Sequence, residues 1–263
     1  MPAKSKLGQN FLRDETAMER IAMALGEVNN RTVVEIGPGL GAITERIATR
    51  AGRLVVVEVD HQLALRLQVH FGNRIEVVEQ DVLKFDFAAL AAASDHKLAI
   101  AGNLPYYITS PILLRLAECA SSLDVAVLMV QREVADRVTA EPGSRDYGIL
   151  SVTTQMYGPT ERLFTLPPEA FEPPPEVHSS VFRWRFAPRF AELGVEEEPL
   201  IRLVKAAFAQ KRKTLANNLR AAGVSPDAVT AALAAAGIDA QARAESLPLE
   251  SFAVLCRALG PLD

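Results

Sequence analysis

The sequence predicts an α/β fold, a doubly wound parallel sheet followed by a small all-helical C-terminal domain. Two observations carry that reading. Short, β-branched, almost continuously apolar runs alternate with helix-periodic segments as far as residue 131, the pattern of strands covered on both faces by crossover helices. From about residue 193 the chain turns Ala- and Leu-rich and keeps helical spacing to its end.

The elements follow in order. "RTVVEI" (31–36) reads as a buried strand running straight into "GPGLG", a tight loop. In "AITERIATRAG" (42–52), Ile43, Ile47 and Ala51 share one helix face and Gly52 stops it. "RLVVVEVD" (53–60) is the next strand and "HQLALRLQVHF" (61–71) the next helix. "RIEVVEQD" (74–81), "KLAIAGN" (97–103) and "LDVAVLMVQ" (123–131) are further strands, with helix-like segments after the last two. Stretches near 160–166 and 178–186 form a closing strand pair. "LGVEEEP" (193–199) reads as a linker, so the expected domains are 1–192 and 193–263.

Composition bounds the function. With 263 residues, 49% hydrophobic and 23% charged, the chain has the mix of a globular protein able to bury a full core. Its beginning, "MPAKSKLGQNFL", lacks an apolar signal core, and no apolar run approaches the roughly 20 residues of a membrane span, so a cytoplasmic protein without a membrane partner is expected. Cys119 and Cys256 lie too far apart to read as a metal or redox pair; no metal site is expected, and both fit small core fillers. The net charge of −4 argues against an indiscriminate polyanion binder but leaves room for local basic patches.

The candidate site residues cluster at strand ends, where a doubly wound sheet binds its ligands. Glu35-Ile36-Gly37-Pro38-Gly39-Leu40-Gly41 follows the first strand, and its glycines let backbone turn sharply against a ligand. The spacing G-x-G-x-G, with an acid two residues ahead, differs from the dinucleotide fingerprint G-x-G-x-x-G. Glu58 closes the second strand, where a carboxylate accepts from ribose hydroxyls, a feature common to NAD and S-adenosylmethionine sites. Asp81, closing the third, supplies a possible acceptor for an adenine amino group.

The fourth strand ends in "AGNLPYYIT" (101–109). An exocyclic aromatic amine is a poor nucleophile because its lone pair is delocalised into the ring. Two acceptors on its hydrogens, the Asn103 side-chain oxygen and the Leu104 carbonyl, favour localising that pair towards a methyl donor. Pro105 fixes its own φ and biases Leu104 to extended backbone, holding that carbonyl in place. Tyr106 offers a stacking face, and Tyr107 reads as plain packing. Downstream, "PPEAFEPPPEVHSSV" is too proline-rich for a helix and is expected to hold Phe171 on a stiff, exposed loop. Lys211, Arg212 and Lys213 form a basic cluster expected on a helix with Phe208 and Leu215. Lys4, Lys6, Arg13, Arg132, Arg137 and Arg145 add further cations.

Together "LGQNFL", "EIGPGLG", "EVD", "QD", "GNLPYYITSPIL", "FEPPPEVHSSV" and "AFAQKRKTLANNL", in this order from residue 7 to about 219, resemble the bacterial 16S ribosomal RNA adenine N6,N6-dimethyltransferase family (the KsgA type). The resemblance implies a Rossmann-like methyltransferase domain with a small helical domain behind it. It implies transfer of methyl groups from S-adenosylmethionine to N6 of two adjacent adenosines in the 3′-terminal hairpin of 16S rRNA, within the small subunit or its precursor. By motif, Asn10, Leu12, Gly37, Glu58, Asp81 and Asn103 correspond to the family's cofactor-contacting positions, with Gly39 in the same loop. Asn103, Leu104, Pro105 and Tyr106 correspond to its target-amine motif, and Phe171 to its second aromatic beside the base. A monomer is the expected state. Three alternatives stand beside this reading: a 23S rRNA adenine methyltransferase of the macrolide-resistance type, a ribosome-assembly factor with catalysis secondary, and an NAD dehydrogenase. The loop spacing disfavours the last.

Overall fold

The computed structural model describes residues 10–261; Lys4 and Lys6 lie outside them, as do Leu7–Gln9 of the N-terminal motif. The strands in chain order are β1 (Phe11–Leu12), β2 (Thr32–Ile36), β3 (Arg53–Glu58), β4 (Glu76–Glu79), β5 (Leu98–Asn103), β6 (Leu123–Gln131), β7 (Thr160–Leu166), β8 (Phe171–Glu172) and β9 (Ser179–Arg185). The helices are α1 (Glu15–Ala24), α2 (Thr44–Ala48), α3 (His61–Phe71), α4 (Phe87–Ala92), α5 (Thr109–Glu118), α6 (Arg132–Val138), α7 (Ile149–Met156), α8 (Phe190–Leu193), α9 (Glu197–Ala207), α10 (Leu215–Ala221), α11 (Pro226–Ala235) and α12 (Leu249–Leu259).

The predicted parallel sheet is present. Its order is β4-β3-β2-β5-β6-β9-β7, parallel from β4 to β6, with β9 antiparallel to both of its neighbours. All of β2 and all of β6 except Asp124 and Gln131 are buried, which is why their sequences read as nearly unbroken apolar runs. The β7–β9 pair takes up the expected closing stretches and caps the sheet's far edge. Helix α3 begins where Asp60 accepts from the amides of Gln62 and Leu63 and ends at Gly72, matching its expected span. Helix α2 is shorter than expected. The preceding residues are drawn into the turn of the glycine loop, and the Thr49 hydroxyl bonds back to the Arg46 carbonyl at its end.

Contacts divide the chain differently from the expected 1–192 and 193–263. One unit comprises the described residues up to Ala135 together with Thr160–Ala187; the other comprises Asp136–Pro159 with the described residues from Pro188 on. Within the second unit α7 joins the C-terminal helices: Tyr157, just after it, donates to Glu197 at 2.6 Å, and Tyr147 donates to the Leu247 carbonyl at 2.9 Å. Leu200, Leu203, Leu215, Leu219, Val229 and Phe252 are buried in this unit. The expected linker is largely used up by α8, a left-handed Gly194 and the start of α9.

The basic cluster requires a correction. Lys211, Arg212 and Lys213 lie in the turn between α9 and α10, not on a helix, and all three are exposed. Asn218 donates to the Ala207 carbonyl at 2.6 Å and so closes the end of α9, while Thr214 caps α10 by accepting from the Asn217 amide.

At the centre of the sheet, Gly102 of β5 pairs with Ile36 of β2. A Cβ at Gly102 would stand 2.8 Å from the Ile36 carbonyl oxygen, which is backbone of a buried strand and cannot rotate away. Gly102→Ala is therefore expected to lower stability by about 1–3 kcal/mol, the usual cost of forcing a methyl group into closed packing. Urea unfolding checks this, and an unchanged midpoint would show that the two strands can separate without cost.

Candidate active site

The sheet's strand order reverses between β2 and β5, and the loops leaving their carboxyl ends line a common cleft within the first unit. Asn10, Leu12, Gly37, Gly39, Glu58 and Asp81 all line it, as do Asn103, Leu104, Pro105 and Tyr106. Residues scattered over almost a hundred positions of sequence thus meet because four parallel strands end together.

The glycine loop is held from two sides. Gly37 donates to the Val57 carbonyl at 3.0 Å, extending the ladder past the end of β2. Gly39 has φ +57°, a conformation that side chains disfavour, and a Cβ there would press within 3.1 Å of the Phe11 ring. Its amide donates to Glu58 Oε2 at 3.2 Å, and the Asp60 amide donates to Glu58 Oε1 at 3.0 Å. A carboxylate accepts at about four positions, so Glu58, buried to 3% exposure, holds the loop and keeps capacity for ligand hydroxyls. Asp81 spends Oδ1 on the Leu83 amide at 3.0 Å.

The side chain of Asn103 is oriented by its own hydrogen bond. Its Nδ2 donates to the Asn10 carbonyl at 3.2 Å, which leaves Oδ1 as the acceptor. Leu104 donates its amide to the Met129 carbonyl at 2.9 Å, so its peptide is fixed. Pro105 follows with φ −59° and ψ 128°, and its carbonyl accepts from Ile108 and from the Thr109 hydroxyl. The Tyr106 hydroxyl shares a 2.8 Å hydrogen bond with Ser179 at the start of β9, which sets the ring's position. Burial pushes the Tyr106 phenol above its ordinary pKa, with the Ser179 bond opposing. The phenol is protonated at neutral pH.

Two expectations fail here. Tyr107 is no packing residue: it is 60% exposed at the cleft wall. Phe171 is not exposed but buried at 3%, and it does not line the cleft. It pairs with Leu12 in the short β1–β8 ladder and joins the core with Leu12 and Ala170. Pairing with β1 draws Phe171 of the proline-rich loop inward. Of the outlying cations, Arg13 is committed to Glu172 at 2.8 Å, Arg132 is exposed in the first unit, and Arg137 and Arg145 are exposed in the second.

Phe11 and Ser179 lie within the motifs "LGQNFL" and "FEPPPEVHSSV" but take no role from residue chemistry alone, because neither belongs to a polar strand end. Glu35 carries a signal, as the acid ahead of the loop. It is 1% exposed, lines the cleft, and its Oε2 has no hydrogen-bond partner among the described residues. Burial pushes its carboxyl up to about 7, with the Glu58 charge adding and the Thr44 hydroxyl opposing. Among the described residues, no group of three or more His, Cys, Asp or Glu could hold a metal ion, and no helix is long and apolar enough to cross a membrane.

Because the folded-state value lies above that of an unfolded glutamate, the folded form of Glu35 binds the extra proton between about pH 4.5 and pH 7. Its contribution is fully present below that window and is lost as pH rises through about 7. The parent is expected to lose about 2–3 kcal/mol relative to Glu35→Gln between acid and alkaline ends of the window. Urea midpoints at several pH values test this, and parallel profiles for parent and variant would exclude Glu35 as the source.

The family model described as ribosomal RNA adenine dimethylase matches residues 2–259. Ribosomal RNA small subunit methyltransferase A of Acidobacterium capsulatum is 55% identical over 97% of this chain and 91% of that protein. The protein of the same name from Koribacter versatilis is 47% identical over 97% and 94%. Among solved structures, the 23S rRNA methyltransferase ErmE superposes with a TM-score of 0.74 at 28% identity, covering 95% of this chain and 99% of that one. A dimethyladenosine transferase from Plasmodium falciparum shares the fold, with a TM-score of 0.76 at 21% identity over 93% and 95%. With a family match over nearly its whole length and close relatives of one name, the chain belongs to the ribosomal RNA adenine dimethylases.

Proposed function

We propose that this enzyme transfers methyl groups from S-adenosylmethionine to N6 of two adjacent adenosines in the 3′-terminal hairpin of 16S rRNA, dimethylating each within the small subunit or its precursor. The observation that carries the reaction is the orientation of Asn103, whose amide nitrogen is engaged by Asn10 and whose oxygen is left to accept. Relatives at 47–55% identity named for the small subunit support that particle over the large one. A role in small-subunit biogenesis is part of the same reading.

The cleft fits the methyl donor. The Gly37–Gly39 backbone admits close approach, Glu58 keeps acceptor capacity for ribose hydroxyls, and Asp81 stands at the next strand end for an adenine amino group. When bound, the donor supplies an electrophilic methyl group on a good sulfonium leaving group. The protein's part is then positioning. Asn103 Oδ1 and the Leu104 carbonyl accept the two N–H bonds of the target amine, and Tyr106 stacks on its base. Drawing on both hydrogens localises the nitrogen lone pair along the direction of attack, so no general base is required before transfer and the proton leaves afterwards. An exposed basic turn at Lys211, Arg212 and Lys213 contacts phosphate without reading sequence.

Asn103→Ala is expected to reduce single-turnover methyl transfer on the order of 100-fold at saturating donor, the scale set by one oriented polar group in a closed site. Tyr106→Ala is expected to act first on capture of the flipped-out base, raising the subunit concentration needed for half-maximal rate. Rapid-quench assays with undermethylated small subunits separate the two effects. Transfer by Asn103→Ala at the parental rate would sink the mechanism.

Changing Lys211, Arg212 and Lys213 together to glutamine should weaken subunit binding and flatten its salt dependence. Each lost phosphate contact lowers the log–log slope by roughly 0.7–0.9. Cofactor affinity should not move. An unaltered slope would leave the turn as a solvated surface.

A further inference from the structure

We propose that Tyr107 is a positioning residue that stacks on the nucleotide next to the target base, which in the function proposed above is the second adenosine of the pair. Aromatic side chains this exposed ordinarily need no explanation. Tyr107 differs from a scattered surface residue in three respects.

Its place is fixed. It sits in the helical turn Tyr106–Ile108, whose start is pinned by the Ile108 amide and the Thr109 hydroxyl, both bonded to the Pro105 carbonyl. Its neighbour is already occupied: Tyr106 is tied to Ser179 and half-buried, so it serves one base and offers its outer surroundings nothing. The direction is set by the chain. Tyr107 lines the same cleft as Asn103 while keeping 60% of its surface exposed, so it is open both to the cleft and to solvent.

The surface beyond continues in kind. Pro111 and Leu114 of the following α5 are also exposed, Leu114 at 49%. A base extruded from its stack leaves neighbours with an uncovered face, and an aromatic ring at the mouth of the pocket replaces the lost stacking partner. Such contacts are sequence-tolerant because every base has a π-face. They carry no charge, which suits a cleft whose lining, among the described residues, includes Glu35, Glu58 and Asp81 and no Lys or Arg.

The test uses the full-length enzyme with undermethylated small subunits, saturating donor and varied subunit concentration, comparing the parent with Tyr107→Ala, Tyr107→Leu and Tyr107→Phe. Loss of one stacked ring is expected to raise the half-saturating subunit concentration about tenfold in the Ala and Leu variants. Their maximal single-turnover rates should fall much less, and Phe should restore the parental value. Donor affinity and thermal midpoint, measured in parallel, should stay close to the parent in all three. A Leu variant as good as the parent would overturn stacking in favour of simple apolar contact. An Ala variant with parental half-saturation, or one impaired only in step with its thermal midpoint, would also overturn the proposal. Failure of the parent itself to methylate adenosine in these subunits would instead refute the functional reading on which it rests.

Discussion

The pairing of β2 with β5 is the constraint on which the site depends. These strands are neighbours in the sheet but are separated in the chain by β3 and β4, so the chain must reverse its winding direction between them. That reversal opens the cleft at their carboxyl ends. The pair is brought close by Gly102, where any side chain would strike the Ile36 carbonyl. One residue further along each strand lie Gly37 and Asn103. The glycine loop and the Asn103 carboxamide are therefore adjacent because the backbones beneath them leave no gap.

Around that junction the acidic residues divide their work by burial and partners. Glu58 is engaged by two backbone amides and binds the glycine loop to the end of β3. Glu35 is as deeply buried but lacks such partners at Oε2, and its carboxyl is pushed up to about 7. An unpaired carboxylate in that position is costly, so Glu35 takes a proton in preference. Protonation of Glu35 also removes its repulsion with the neighbouring Glu58 carboxylate, one cause of its raised value.

The fold was legible where burial on both faces of the sheet forces apolar runs: the β6 span coincides with "LDVAVLMVQ", and α3 with "HQLALRLQVHF". The polar strand ends were legible for the same reason, since Glu58, Asp81 and Asn103 interrupt those runs at their carboxyl ends. What failed depended on contacts distant in sequence. Periodicity could carry a helix through residues 208–214, but Asn218 ends α9 and Thr214 starts another helix. Nothing local marks 136–159 as belonging with the C-terminal helices, because that assignment rests on Tyr147 and Tyr157 reaching partners far along the chain. Two adjacent tyrosines cannot be told apart by composition. Ser179, seventy-three residues away, decides which is tethered.

The burial of Phe171 changes the physical meaning of the proline-rich loop. A ring committed to the core does not present its face to a base in this arrangement; it anchors the β1–β8 ladder instead. Leu12 pairs with Phe171, Arg13 donates its amide to the Ala170 carbonyl at 2.8 Å, and the Arg13 side chain pairs with Glu172. Two residues before Leu12 stands Asn10, whose carbonyl receives the Asn103 amide, and Phe11 lies against Gly39. The loop therefore reaches the Asn103 carboxamide through the strap it holds. Phe171 keeps β1 in register, β1 keeps the Asn10 carbonyl in place, and that carbonyl decides which end of the Asn103 carboxamide is free to accept. The same strap also packs Phe11 on the glycine loop, so a single two-stranded ladder links the orientation of the Asn103 carboxamide to the Gly39 wall of the cleft.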